Sequence, residues 1–269
     1  MGKMGALFTG LYYAVLLLVA DGGAPATLTA NEHPWGNFLP KSWCVVQTVT
    51  VSNIDGRAVQ SSQTVKTVLE AIDGSGITLQ ETETIETGGK KLEKMPQTIK
   101  YDFFREVVQE NVQISQGAPG KFMIAKKAVP CLVRIYKQQT SDGHLTTTVW
   151  YSPLVYPYIL RVEKIQRSTP DAENPTGKIV RQFVMLVQET NALKPPRISR
   201  RNKAYTLRTE EKAGNITKIT DARCSWDVPG GLLESTTREF DAQNREIRRS
   251  VSRMNYFPYG LIPGMPSGQ

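Results

Sequence analysis

What most constrains this chain is the alternation of polar and apolar side chains, interrupted at short intervals by Gly, Asp, Asn and Pro. Near its start, Trp43, Val45, Val49 and Val51 fall on one parity and Val46, Thr48 and Thr50 on the other. A period of two with β-branched residues marks a strand whose faces differ. Asn53-Ile54-Asp55-Gly56, Asp73-Gly74-Ser75-Gly76, Gly88-Gly89 and Ser141-Asp142-Gly143 each supply a reversal. Between such signals, segments 59–69, 77–87, 97–101, 121–126, 129–139, 144–151, 158–167, 177–189, 204–211, 215–225, 232–240 and 245–256 read as strands. Segment 103–111 is the single helix candidate, about two turns long. The expected fold class is all-β, or β with one or two short helices. It is a large antiparallel meander that curls into an open half-barrel, from one sheet or two.

A repeat lies inside the meander. Val155-Tyr156-Pro157-Tyr158-Ile159-Leu160 returns as Val228-Pro229-Gly230-Gly231-Leu232, each shortly after a tryptophan, Trp150 or Trp226. A charged alternating stretch follows each copy, which points to one β-unit used twice. Pro inside a strand is confined to edges and bulges, so the Val-Pro segments read as bulges or strand switches.

The first 26 residues read as an export signal. Lys3 gives a short positive region, 11–20 is an apolar run too short to span a bilayer, and Ala24-Pro25-Ala26 fits a small-x-small cleavage site. The expected organisation is a signal peptide over 1–26, an extended lead-in over 27–40 and an antiparallel β domain over 41–256. A disordered tail rich in Pro and Gly then occupies 257–269. The basic run 193–203 is either a join between subdomains or a long loop. The mature protein is expected outside the cytoplasm, periplasmic or extracellular.

The net charge of +8 is uneven: residues 194–269 carry 14 Lys/Arg against 8 Asp/Glu. Arg197, Arg200, Arg201 and Lys203 form its densest part and are candidate contacts for an anionic envelope surface. The export signal and the lack of a nucleic-acid module argue against nucleic acid. Cys44, Cys131 and Cys224 allow one disulfide at most, with the pairing undetermined, and the same residues equally read as small buried apolar side chains.

Signals for chemistry are sparse. His33 and His144 lack neighbouring metal ligands in sequence, so no metal or other cofactor is expected. A nucleophile needs an oriented base, and the one pairing available is Cys131 with His144 across a hairpin. Glu81 and Glu83 share a parity, as acid/base pairs do, but on so polar a strand they read as solvent-facing. No enzyme is expected. Trp150, Tyr151, Tyr156, Tyr158 and Trp226 instead form a candidate ligand-binding aromatic set, since such rings line apolar pockets.

At Val129-Pro130-Cys131, Trp150-Tyr151-Ser152 with Val155 and Pro157, and Trp226 with Val228-Pro229-Gly230-Gly231-Leu232, the chain resembles exported bacterial β-rich proteins of unknown function. These are similar to the periplasmic lipoprotein-carrier fold. That resemblance implies a curved sheet holding an apolar guest, helices over its concave face, and no catalytic residues. The expected function is an exported, non-catalytic protein shielding an apolar or amphiphilic small molecule or lipid. The alternative is an envelope interaction protein that uses basic surfaces on anionic partners.

Overall fold

The computed structural model describes residues 27–54, 57–190 and 204–257. Residues 1–26, where a signal peptide is expected, the basic run with Arg197, Arg200, Arg201 and Lys203, and the residues beyond 257 lie outside the described residues. The strands are β1 Trp43–Ile54, β2 Arg57–Asp73, β3 Gly76–Thr87, β4 Lys90–Glu93, β5 Gln97–Tyr101, β6 Val112–Ile124 and β7 Lys127–Thr140. There follow β8 Gly143–Tyr151, β9 Ile159–Ser168, β10 Ile179–Thr190, β11 Ala204–Ala213, β12 Ile216–Ser225, β13 Leu232–Phe240 and β14 Glu246–Phe257. All pair antiparallel in one open sheet of fourteen strands among the described residues.

Their order is β4-β3-β2-β1-β14-β13-β12-β11-β10-β9-β8-β7-β6, with β5 also on β3. The all-β, open half-barrel expectation therefore holds. β10 and β11, the strands on either side of 191–203, pair with each other from Arg181–Ala213 to Thr190–Tyr205, with a register shift between Val187 and Glu189. Phe257, expected at the head of the tail, belongs to β14 and pairs with Trp43.

The two ends of the sheet differ. Tight reversals at Gly88-Gly89, Ser141–Gly143, Gly214 and 241–245 occupy one end. The longer connections 102–111, 152–158 and 226–231 occupy the other, with the lead-in. Nearly all fully buried apolar side chains gather at this second end, among them Leu69, Ile77, Val149, Tyr151 and Ile159. Each such burial contributes about 1.5–3 kcal/mol.

The face carrying Cys44, Leu79, Val149 and Cys224 is the inner face. Leu28 joins Phe104, Tyr136, Val149 and Tyr151 on it, while Trp35 and Phe38 pack on Cys44, Leu69, Ile77 and Leu79. The lead-in is thus not an extended approach: it turns through a 3-10 segment, Ala30–Glu32, and lies buried on the sheet. Gly36 makes this path feasible, because a Cβ there would stand 1.6 Å from the Ala30 carbonyl oxygen.

No helix forms over 103–111. Asp102 Oδ1 accepts from the amides of Phe104 (2.9 Å) and Glu106 (3.0 Å), Arg105 turns left-handed at φ +67°, and Val107 bridges back to Tyr101. These local bonds compete with the helical ladder. The segment is a strap that carries the chain from one edge of the sheet to the other. It is tied to the inner face by Tyr136 Oη donating to Asp102 Oδ2 (2.6 Å) and Lys164 Nζ donating to Glu106 Oε2 (2.9 Å). The lead-in and the strap cover the inner face where helices were expected from the family resemblance.

Candidate functional site

The repeated unit is real at the level of the backbone. In the β8–β9 corner, Ser152 N donates to Tyr158 O (2.8 Å) and Tyr158 N to Val155 O (2.8 Å). In the β12–β13 corner, Ser225 N donates to Gly231 O (2.7 Å) and Gly231 N to Val228 O (3.0 Å). Tyr158 and Gly231 both have positive φ, 69° and 80°. Each ladder also shifts register at the matching place, between Trp150 and Tyr151 in one and between Arg223 and Cys224 in the other. Every equivalence is separated by 73 positions. The tryptophans that drew attention to the repeat are not equivalent, since 73 positions after Trp150 stands Arg223.

The five aromatic candidates divide accordingly. Trp150 lies on the outer face, packed against the buried cluster of Ile124, Val129, Cys131, Leu160 and Val187, with the Arg161 guanidinium 4.7 Å above its ring. Tyr151 is buried on the inner face, edge-on to Phe104 at 4.8 Å. Tyr156, Tyr158 and Trp226 come together from the two corners: Tyr156 meets Trp226 at 5.1 Å and Tyr205 at 5.2 Å, and Tyr158 meets Trp226 at 5.3 Å, all edge-to-face. Such pairs add about 0.5–1.5 kcal/mol each beyond area burial. Tyr205, which no sequence signal marked, completes this wall with Cys224.

Beyond the wall, toward the tight-turn end, the strap continues over β7–β9, where Gln138 Nε2 donates to Gln109 Oε1 and Lys164 Nζ to Glu106 Oε2, while no segment among the described residues is bonded across the inner face of β1 and β12–β14. Its middle strands present hydroxyls that pair across the ladder: Thr48 with Ser252 (2.9 Å), Thr50 with Ser250 (2.8 Å) and Thr220 with Thr237 (2.8 Å). Half-buried apolar side chains flank them on both sides, Leu145, Phe183 and Met185 on one and Val65 and Ile85 on the other. The result is an open floor with a mixed surface. A self-paired hydroxyl shows mainly its carbon side to a guest and keeps one lone pair for it.

On the outer face, a groove of about 820 Å³ crosses β10–β14, lined by Asp221, Arg223, Glu234, Val251 and Arg253 among others. Its charges are of both signs and partly answer one another, Arg238 to Asp221 at 3.3 Å and Arg223 to Glu234 at 3.6 Å. Exposed pairs of this kind attract no ion of one sign strongly.

The residues considered for catalysis do not assemble. His144 pairs with Gln139, eight strand positions from Cys131, or about 26 Å along β7. All three cysteines are buried and free, and burial pushes the Cys44 and Cys224 thiols up to about 11. Among the described residues, no group of three or more His, Cys, Asp or Glu side chains is placed to hold a metal ion.

Glu81 and Glu83 do share the inner face. Burial first, and then the Glu83 charge, raises the Glu81 pKa, whereas the hydrogen bond from Lys94 lowers that of Glu83. An acid whose pKa rises on folding takes up its proton earlier in the folded chain, so its cost to stability vanishes as the pH falls through that pKa. Glu81→Gln is therefore expected to raise the thermal midpoint at pH 7. The gain should shrink toward zero as the pH falls below the folded pKa of Glu81. Melting curves across pH 3–7 check this, and a gain independent of pH would contradict it.

No protein-family model matches this chain, and no curated protein is similar to it in sequence at a significant level. A comparison with solved structures gives matches of low identity and low structural overlap. One is a Vibrio parahaemolyticus domain classed with outer membrane lipoprotein-sorting proteins, at 8% identity, TM-score 0.33, covering 82% of this chain and 87% of that one. Another is a DUF1329 family protein from Desulfovibrio piger, at 10% identity and TM-score 0.31, covering 82% and 88%. A third is a LolA superfamily protein from Nitrosomonas europaea, at 8% identity and TM-score 0.32, covering 87% and 96%. Identities this low carry no residue-by-residue correspondence.

Proposed function

We propose that this chain is an exported, non-catalytic binding protein that holds an amphiphilic, lipid-like ligand on the inner face of its half-barrel. The observation that carries the reading is the division of that face. One end is filled by the chain's own lead-in, strap and aromatic wall. The other end is left as an open floor of partly buried hydroxyl and apolar side chains. An amphiphile suits such a surface better than a bare hydrocarbon, because Thr and Ser oxygens offer hydrogen bonds to polar atoms that a hydrocarbon lacks. In this reading Tyr156, Tyr158 and Trp226 act as the end wall against which the ligand stops, Tyr151 backs the inner face beside Phe104, and Trp150, on the outer face, takes no part. Export rests on the sequence of residues 1–26, which predicts a signal peptide.

Native mass spectrometry of the mature protein, purified from a lipid-containing host and followed by organic extraction, tests the proposal. A reproducible co-purifying amphiphile is the expected result. A clean apo mass that persists after incubation with lipid extract would overturn it. Retention of that same apo protein on anionic vesicles would then favour an envelope interaction protein working through its basic residues.

A further inference from the structure

The end wall contains a guanidinium that forms no ion pair among the described residues. Arg105 sits in the strap at φ +67°, a left-handed conformation that residues other than glycine adopt infrequently. It aims its side chain into the wall, where the guanidinium shares a hydrogen bond with the Tyr205 hydroxyl but Nε and Nη2 are sealed from solvent and meet no hydrogen-bond acceptor. Its charge is felt at His33 of the lead-in, at Tyr156 of the first corner, at Tyr205 of β11 and at Cys224 of β12. The Tyr156 hydroxyl is buried without a partner in the same place, on a residue only 8% exposed.

None of these neighbours supplies negative charge. Burial and then Arg105 push His33 down to about 3, so it stays neutral. Burial pushes Tyr205 up to about 12 and Cys224 up to about 11, so both stay protonated. Asp227 bears on Tyr156, and Glu32 on Tyr158. Neither appears with Arg105 in an ion pair among the described residues. A buried guanidinium is costly unless it is paired. Two guanidinium N–H groups and a phenol O–H, all unused and within one aromatic box, suit an acceptor with several oxygens and a negative charge.

We propose that Arg105 and Tyr156 form the recognition point for an oxyanion, a carboxylate or phosphate, that enters the end wall as the head group of the bound amphiphile. The assignment rests on the carrier reading above and specifies its ligand class: anionic rather than neutral. The way in lies beneath the lead-in. Residues 27–37 join no strand and are held on the sheet by the packing of Leu28 and Trp35, so they can lift without breaking a ladder.

Calorimetric titration of the full chain with decanoate, decanol, acetate and inorganic phosphate separates the alternatives. Decanoate and decanol share a chain and differ in the head. Decanoate is expected to bind at least about tenfold more tightly than decanol, the worth of a charge-assisted hydrogen bond. Arg105→Gln should erase that preference, and Arg105→Lys should restore part of it. Tyr156→Phe removes only an unpartnered hydroxyl and so spares the fold. It should weaken decanoate by about threefold and leave decanol unchanged.

Acetate or phosphate binding as tightly as decanoate, and losing affinity in Arg105→Gln, would support the oxyanion point and make its source a free anion. Equal binding of decanoate and decanol, or a preference untouched in both Arg105→Gln and Tyr156→Phe, would overturn the head-group assignment and leave the carrier reading standing. Failure of all four probes to bind would sink both.

Discussion

Trp226→Ala is expected to lower the free energy of unfolding by about 3–5 kcal/mol, the range for deleting a large buried aromatic. Trp226 is only 5% exposed, and its ring is shared: Tyr156 and Tyr158 of the β8–β9 corner stand edge-on to it at 5.1 and 5.3 Å. One truncation therefore leaves a void and unpins the other corner. The wall has little means of collapsing into that void, because Tyr205 and Cys224 are fixed by their ladder and Val228 by the turn. Urea unfolding with a constant slope measures the loss. Trp226→Phe should recover a substantial part of it. A loss below about 1 kcal/mol would mean that the corners are held independently by their own backbone hydrogen bonds.

Gly36→Ala is the second large effect. A methyl group at Gly36 would stand 1.6 Å from the Ala30 carbonyl oxygen, far inside van der Waals contact, and the atom it strikes is backbone. Residue 36 also sits between Trp35 and Phe38, which place their rings on Cys44, Leu69, Ile77 and Leu79. Relief of the clash therefore moves the residues that hold the lead-in down. Overpacking costs about 1–3 kcal/mol where the surroundings can adjust. Here it is expected to reach about 3 kcal/mol or more, because burial of the Trp35 and Phe38 rings is lost with it. Faster cleavage within 27–40 in limited proteolysis and a red-shifted emission from Trp35 are the expected signatures. A variant with wild-type cleavage and emission would show that the lead-in can follow another path.

The strands were legible because each is bounded by a residue type that the turn demands. Asp73, Gly88-Gly89 and Asp142-Gly143 all stand at observed reversals, and Leu232–Phe240 and Gln97–Tyr101 form where the alternation put them. β4 and the first half of β6 were not read. β4 is four residues long, and β6 runs through Gly117, Pro119 and Gly120, where its ladder to β7 shifts register. Periodicity misled at 103–111, where short-range bonds from the Asp102 carboxylate outweigh a two-turn helix.

The site was harder to see. The sequence offered aromatics, and the rings do gather, but which of them belong together depends on the two corners bringing Tyr156 and Tyr158 face to face with Trp226, 70 and 68 positions further on. Arg105 carried no sequence signal at all. An arginine in a polar connection is ordinarily a solvated one, and its burial follows from the strap crossing the inner face. The Pro, Gly and Asn of 27–40 predict an extended lead-in, yet three of its four large apolar residues, Leu28, Trp35 and Phe38, bury it.

The seam between β1 and β14 also bears on how this molecule is made. Thr48 and Ser252 are hydrogen-bonded neighbours across a sequence separation of 204. Neither flank can use the other's edge until almost the whole chain has emerged from the ribosome. Until then β1 and β13 each present an open row of backbone donors and acceptors, and such rows recruit stray strands. So distant a pairing is slow to find. The half-barrel is thus most vulnerable to aggregation late in its assembly, and a chaperone that shields those two edges would act before the last strand docks rather than after.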